Sequence, residues 1–148
     1  MNDKRSERLL LGCNAYALGQ CADEALEQAY CQRFSALLNY ATLPFYWGRY
    51  EPQPGQTEQQ RVTEMAHWCR EQGILAKGHP LCWHQVPTTW LMDRSLSEIA
   101  DAQWNRIQRE VSAFRGLIDI WDVVNETVAN VRHRVWPVMA QAKRLGTP

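Results

Sequence analysis

The feature of this sequence that most constrains its fold is a regular alternation of short apolar runs with longer segments of helical character. The apolar runs that are candidate strands are Leu9–Asn14, Ser35–Leu43, Ile74–Leu81 and Leu117–Val124. The helix signals that follow them cover Asp23–Phe34, Thr57 to about Gln72, Ser95 or Ser97 to about Phe114, and Pro137–Leu145. Because a helix follows each strand, the pattern predicts an α/β fold with parallel strands and helical crossovers. Strands this apolar are typical of a sheet covered on both faces.

Apolar spacing predicts which side of each helix is buried. In the first helix the inward candidates are Ala25, Leu26, Ala29, Tyr30 and Phe34. In the second helix they are Val62, Met65, Ala66 and Cys69. In the third helix they are Ile99, Ala102, Ile107, Val111 and Phe114. We therefore expect the helices to pack on the sheet through apolar faces.

The composition narrows the class of protein. A length of 148 residues suits about one domain, and 45% hydrophobic with 22% charged residues suits a globular core. The 16 basic and 16 acidic residues balance, which argues against a nucleic-acid partner. No apolar run approaches the roughly 18 residues that span a bilayer, so we expect no membrane insertion. Five cysteines without a C-x-x-C pair support neither a disulfide framework nor a zinc site. We expect no metal and no cofactor.

The N-terminal segment allows two interpretations. Arg5 and Arg8 precede the run from Leu9 to Cys13, which looks like the end of a bacterial lipoprotein signal. The apolar stretch before the cysteine is only three residues long, whereas a signal needs roughly 7–15. The favoured interpretation is a short buried strand preceded by a leader over residues 1–8 whose order is open.

Polar residues gather where the third and fourth strands end. His79, Trp83 and His84 follow the third apolar core, and Asn125 and Glu126 follow the fourth. In parallel α/β folds, active sites form at the carboxyl ends of the strands. A glutamate there can protonate a glycosidic oxygen, an asparagine amide can hold a ring hydroxyl, and an indole can stack on a pyranose. The arrangement indicates a site for sugars.

These residues lie in two motifs that resemble glycoside hydrolase family 10, the retaining β-1,4-xylanases with a (β/α)8 barrel. The family's fourth-strand motif W-D-V-V-N-E is complete from Trp121 to Glu126. Its third-strand motif G-H-T-L-V-W-H corresponds to Gly78–His84 with two changes, and Pro87 and Trp90 follow as in the family. The second-strand region around Trp47 and Glu51 matches more loosely. The resemblance implies that residues 1–148 are the N-terminal half of a barrel, about four βα units.

The resemblance also implies roles for individual residues. Glu126 is the expected general acid/base, and Asn125 is expected to hold the 2-hydroxyl of the sugar beside the scissile bond. His79 and Trp83 are expected to line the same subsite, with His84 behind them. Gln85 corresponds to the family's substrate-binding glutamine, although its spacing is one residue short. The implied partner is a β-1,4-linked, xylan-type polysaccharide or oligosaccharide. The family is usually secreted or periplasmic, but no clear signal peptide is visible, so localisation stays open.

Structural interpretations stand beside these functional ones. Trp121 is expected to pack in the barrel wall, and Asp122 to join a buried hydrogen-bond network. His84 is either a satisfied core histidine or a ligand contact. Three tryptophans in loops or at a helix start can pack inside or face the cleft: Trp47, Trp90 and Trp136.

The sequence departs from the family in two places. A retaining mechanism needs two carboxylates about 5–5.5 Å apart, and the family's nucleophile lies on strand seven, for which this chain has no counterpart. After the second strand, the family motif E-N-x-x-K-W, which binds the next sugar, is replaced by the shorter Leu43–Trp47. This replacement weakens the case for a xylose at that position.

Three interpretations therefore stay open. The favoured one is the N-terminal half of a family 10 enzyme that is inactive alone. The second is a carbohydrate-binding half-barrel without catalysis, and the third is a half that closes a barrel with a complementing chain. Open sheet edges also predict self-association.

Overall fold

The computed structural model describes residues 9–126, so the leader over residues 1–8, the helix expected over Pro137–Leu145 and Trp136 lie outside the described residues. The elements are β1 (Gly12–Asn14), α1 (Glu24–Leu37), β2 (Tyr40–Pro44), α2 (Trp47–Tyr50), α3 (Gln59–Glu71), β3 (Leu75–His79), α4 (Leu96–Ala113) and β4 (Ile120–Trp121). A short 3-10 helix, Thr89–Leu91, lies between β3 and α4.

The four strands form one sheet in the order β1-β2-β3-β4, and every neighbouring pair is parallel. The predicted α/β fold with parallel strands in sequence order is confirmed. Backbone bonds continue the β3–β4 pairing past both strands, since Leu81 N–H donates to the Asp122 carbonyl and Cys82 N–H to the Val123 carbonyl. This extension carries the two polar segments that follow β3 and β4 side by side.

Side-chain caps explain the starts of two of the four α-helices in the described chain. The Asp23 side chain accepts a hydrogen bond from the Leu26 N–H and caps α1. Ser95, rather than Ser97, caps α4 in a capping box with Glu98. Helix α3 begins at Gln59 without a side-chain cap, two residues after the expected Thr57. Of the helices within residues 9–126, none is both long and apolar enough to cross a bilayer.

The boundary between α1 and β2 differs from the prediction. The helix runs on to Leu37 instead of ending at Phe34, so β2 starts at Tyr40 and not at Ser35. Ser35 fits in the last turns of α1 because its hydroxyl donates a hydrogen bond to the Cys31 carbonyl. Leu38 N–H then closes the helix on the Phe34 carbonyl.

The main core lies between the sheet and helices α1 and α3. All four inward residues predicted for α3 are buried: Val62, Met65, Ala66 and Cys69. From α1 only Phe34 is buried, whereas Leu26 is 54% exposed, contrary to prediction. Trp121 packs against Phe45 with ring centroids 4.8 Å apart, which confirms its expected place in the wall. A Cβ on Gly78 would lie 2.3 Å from the Trp121 ring, so only glycine fits there.

Strand β1 was expected to be buried, and it is not. Its three residues are all exposed. Within the described chain β1 pairs with β2 alone. The Asn39 side chain extends this pairing, because its oxygen accepts from the Leu11 N–H and its amide donates to the Leu9 carbonyl.

Apolar side chains near the two outer strands predict self-association. Leu9 is 83% exposed beside β1, and Val123 is 56% exposed beside β4. Unpaired strand edges flanked by apolar residues promote pairing between chains. We expect light scattering after size exclusion to show oligomers that grow with concentration, and Leu9→Lys to reduce them. Lys at the equally apolar but non-edge position Leu26 serves as control. A monomer at all concentrations would contradict this prediction.

Candidate active site

Side chains that follow the carboxyl ends of all four strands meet at one edge of the sheet. They are Tyr16 after β1, Tyr46 after β2, His79 and Trp83 at and after β3, and Glu126 after β4. The Tyr46 ring is the centre of this group, with ring centroids 5.4 Å from His79 and 5.2 Å from Trp83. Its hydroxyl lies 3.1 Å from the Tyr16 hydroxyl. We call these five residues the strand-end cluster.

Glu126 is held by two side chains that follow β3. Trp83 Nε1 donates to Glu126 Oε2 at 2.9 Å, and Gln85 Nε2 donates to the same oxygen at 3.1 Å. The Asn125 N–H donates to the Cys82 carbonyl and fixes the backbone just before Glu126. The backbone of Glu126 has a φ of +54°, a region that residues other than glycine rarely adopt and that is concentrated at functional sites.

His79 shares a carboxylate partner, Asp122, with Lys77, because the sheet places β3 beside β4. Successive strand residues alternate between faces, so Lys77 and His79 share one face of β3. Asp122, next to β4, reaches both: its Oδ2 lies 2.8 Å from Lys77 Nζ and 2.7 Å from His79 Nδ1. Burial opposes ionisation of Asp122, but the hydrogen bonds from Lys77 and His79 outweigh it and hold the pKa of this carboxyl below its usual value.

This geometry fixes the tautomer of His79. An ionised carboxylate only accepts hydrogen bonds, so Nδ1 of His79 donates to Asp122. In the neutral ring, Nε2 is then an acceptor and can receive a hydrogen bond from a hydroxyl. The expected network role of Asp122 matches these contacts, and the side chain is 34% exposed rather than deeply buried.

The remaining predicted residues lie beside the strand-end cluster. His84 packs near Trp83, with ring centroids 6.3 Å apart, and its buried Nε2 has no hydrogen-bond partner within residues 9–126. Its two interpretations, core histidine and ligand contact, stay predictions. Asn125 is half-buried next to Glu126. No three His, Cys, Asp or Glu side chains in the described part of the chain are grouped closely enough to hold a metal ion.

A buried charge network supports this edge of the sheet, and the sequence analysis missed it. Glu51, 3% exposed, accepts from Arg109 Nη2 at 2.8 Å and from Trp47 Nε1 at 3.0 Å. Arg109 also lies 2.7 Å from Oε1 of the fully buried Glu110. The backbone carbonyl of Glu51 accepts from Trp90 Nε1 at 3.2 Å. The network thus ties the segment after β2 and the segment after β3 to α4.

Arg106, on α4, also links this helix to the segments that follow β2 and β3. It is 1% exposed, and its guanidinium donates to the carbonyls of Leu81 and Phe45, just past the ends of β3 and β2. The guanidinium carbon lies 5.0 Å from the centre of the Trp47 ring. Burial lowers the pKa of Arg106 to about 10, so the group stays charged at neutral pH.

Two tryptophans with open interpretations belong to this network and not to the strand-end cluster. Trp47 is 7% exposed, and its ring centroid lies 5.9 Å from that of Trp90. Gly48 allows the close approach of the two segments, because a Cβ there would lie 2.1 Å from the Pro87 carbonyl oxygen. Of the segment Leu43–Trp47, Tyr46 is the residue whose side chain belongs to the strand-end cluster.

The inward face of α4 also differs from the prediction. Ile99 and Phe114 are buried as expected, but Val111 is 36% exposed, and Arg106 and Glu110 occupy the buried face instead. Their position was the available signal, since Arg106 and Glu110 continue the helical spacing of Ile99 and Phe114, but spacing does not show whether a charged side chain is buried. Tyr16 and Tyr46 carried a similar signal, as each lies two residues after a strand.

Comparison with known proteins identifies the relatives of this chain. The family model described as glycosyl hydrolase family 10 matches residues 15–143. Endo-1,4-beta-xylanase B of Thermotoga neapolitana is 27% identical over 95 residues, which are 61% of this chain and 28% of the relative. Endo-1,4-beta-xylanase 5 of Arabidopsis thaliana is 27% identical over 80% of this chain and 21% of its own length.

Solved structures agree in fold. Native xylanase 10B from Thermotoga maritima superposes with a TM-score of 0.71 at 21% identity, covering 88% of this chain and 40% of that one. Xylanase 10B from Thermotoga petrophila RKU-1 in complex with xylobiose gives a TM-score of 0.67 at 23% identity, covering 80% and 36%. The chain thus spans less than a third of these curated relatives and about two fifths of these structures, and its four parallel strands correspond to part of a (β/α)8 barrel.

Proposed function

The chain belongs to glycosyl hydrolase family 10, and from this premise we propose that its strand-end cluster is the acid/base half of a glycosidase site for β-1,4-linked, xylan-type glycans. The observation that carries the proposal is the pair of hydrogen bonds from Trp83 and Gln85 to Glu126. They hold a carboxyl group at the strand edge where barrel enzymes bind their substrates.

Each side chain of the site has a chemical task in this proposal. Glu126 donates its proton to the leaving glycosidic oxygen and then, as carboxylate, takes a proton from the water that completes hydrolysis. The rings of Trp83 and Tyr46 provide apolar surfaces for a pyranose. The acceptor Nε2 of His79 and the amide of Asn125 hold ring hydroxyls. Holding the sugar in one orientation aligns its glycosidic oxygen with Glu126.

The retaining reaction also needs a nucleophilic carboxylate opposite Glu126. The nearest sequence candidates in the chain, Glu51 and Asp122, are both engaged elsewhere. Glu51 is buried against Arg109, and Asp122 pairs with Lys77 and His79. Both carboxylates are therefore assigned to support, and the nucleophile is assigned to a segment that completes the barrel.

Oligosaccharide binding tests the proposal without requiring turnover. We expect calorimetry to detect xylotetraose binding and Trp83→Ala to weaken it about tenfold, because a lost stacking surface of about 1.4 kcal/mol is worth a factor of ten. The matched control is Trp104→Ala, since Trp104 is 62% exposed on α4 and outside the strand-end cluster. Equal effects of the two substitutions, or no binding by the unmodified chain, would overturn the proposal.

A further inference from the structure

We propose that a cationic pocket beside the strand-end cluster binds the anionic group of an acidic substituent on the glycan, and this inference rests on the function proposed above. The pocket has a volume of about 290 Å³, and its lining includes Gln20, Tyr46, Arg49, Glu58 and Arg61. We call it the arginine pocket.

Its position connects it directly to the proposed glycan site. Tyr46 lines the arginine pocket and also packs against both His79 and Trp83. Pro44, the last residue of β2, lines it as well and pairs in register with His79. The pocket therefore opens at the same sheet edge, separated from the strand-end cluster by one aromatic ring. A side group on a sugar stacked near Tyr46 is within reach of it.

The charges of the arginine pocket favour an anion. Arg61 Nε lies 2.9 Å from Glu58 Oε2, so these two charges offset each other. Arg49 is exposed, and within residues 9–126 its side chain forms no ion pair or hydrogen bond. Among the described residues, Arg49 thus gives the pocket one positive charge without a counter-ion. Lys77, beside the strand-end cluster, differs from Arg49 because it pairs with Asp122 at 2.8 Å.

Size and chemistry define the ligand class. The volume of about 290 Å³ lies just below the roughly 300–1,000 Å³ of small-molecule pockets, which suits one sugar-sized group and not a second glycan chain. A guanidinium matches two oxygens of a carboxylate or sulfate, whereas a neutral hydroxyl gains little from it. Uronic acid and sulfate-ester substituents share this anion chemistry.

Calorimetry with matched oligosaccharides tests the inference. The probes are xylotetraose, xylotetraose carrying one glucuronic acid side group, and xylotetraose carrying one sulfate ester. We expect the acidic probes to bind about fivefold more tightly than the neutral one at low salt. Arg49→Gln should remove this preference while leaving the affinity for neutral xylotetraose unchanged. Raising the ionic strength should shrink the preference, since exposed charges are screened.

The control is Arg115→Gln, which removes an exposed arginine just past α4, at the opposite end of the sheet, and should leave the preference intact. A preference for only one acidic probe identifies the substituent and supports the inference. Neutral binding without any acidic preference, or a preference that survives Arg49→Gln, overturns the inference alone. Absence of binding by all three probes overturns the proposed function and the inference together.

Discussion

Alone, the 148-residue chain is expected to give no more than trace hydrolysis of an aryl xylobioside, and mixing it with the C-terminal half of a family 10 relative is expected to restore turnover. Retaining hydrolysis needs two carboxylates about 5–5.5 Å apart, and Glu126 supplies one of them. Loss of a nucleophile removes orders of magnitude of rate, because covalent catalysis divides one difficult step into two easier ones. Release of the aryl group measured spectrophotometrically, for the chain and for the mixture, checks this expectation.

Variants of Glu126 separate proton transfer from a structural role in the restored system. Glu126→Gln keeps the size and one oxygen of the side chain but cannot donate an acidic proton. We expect it to lower xylan hydrolysis by about 10²–10⁴-fold. The first step on a dinitrophenyl xylobioside should be far less affected, because a good leaving group needs no protonation. Equal losses on both substrates would contradict a role as general acid, and substantial turnover by the chain alone would show that it already holds a nucleophile.

The second large effect concerns stability. Arg109→Met leaves the buried carboxylates of Glu51 and Glu110 without their shared cation. Removing one partner from a buried ion pair costs about 3–5 kcal/mol, and because Arg109 is itself 38% exposed we expect the lower end, about 3 kcal/mol, still a large part of the roughly 5–15 kcal/mol of a typical domain. Urea unfolding followed by circular dichroism measures the loss. The control is Arg94→Met, since Arg94 and Glu98 form an exposed pair at 3.6 Å that is worth less than about 1 kcal/mol.

The same network predicts how stability depends on pH. Burial opposes ionisation of Glu51, but Arg109, the Gly55 N–H and Trp47 outweigh it and lower the pKa of this carboxyl below its ordinary 4.5. The unfolded chain then binds more protons between the two pKa values, so this contribution is present above about pH 4.5 and is lost as the pH falls through the lowered pKa. Arg109→Met should flatten that acid-side loss. An unchanged slope, or equal destabilisation by Arg94→Met, would contradict the assigned role of Arg109.

The sequence predicted which strand-end residues come together better than it predicted the buried contacts that support them. His79, Trp83 and Glu126 were assigned to one edge because each follows a strand, and that inference needs only the order of strands and helices. The burial of Arg106 and Glu110 on α4 was not predicted, because hydrophobic periodicity assigns only apolar residues to the inward face of a helix. These two charged residues are buried through partners far away in sequence. Burial of such groups depends on pairing in three dimensions, which spacing within one helix does not reveal.

Strand β1 illustrates a second limit. The apolar run Leu9–Asn14 predicted a buried strand, yet the residues of β1 are exposed. Burial depends on what packs beside a strand and not on its composition alone. The strand-end tyrosines show the opposite case. Tyr46 lies in the segment that departs from the family motif, and its contacts with His79 and Trp83 became visible once β2 and β3 were placed in register.

The most direct test of the proposed glycan site is the indole N–H resonance of Trp83 in a ¹⁵N-labelled chain titrated with xylobiose. This N–H donates to Glu126, so a sugar entering the strand-end cluster changes its surroundings at once. Substitution of single tryptophans by phenylalanine assigns the seven indole signals. We predict a saturable shift of the Trp83 signal, with the signal of the exposed Trp104 unchanged. A Trp83 signal that stays fixed, or that moves no more than that of Trp104, would contradict a glycan site at Glu126.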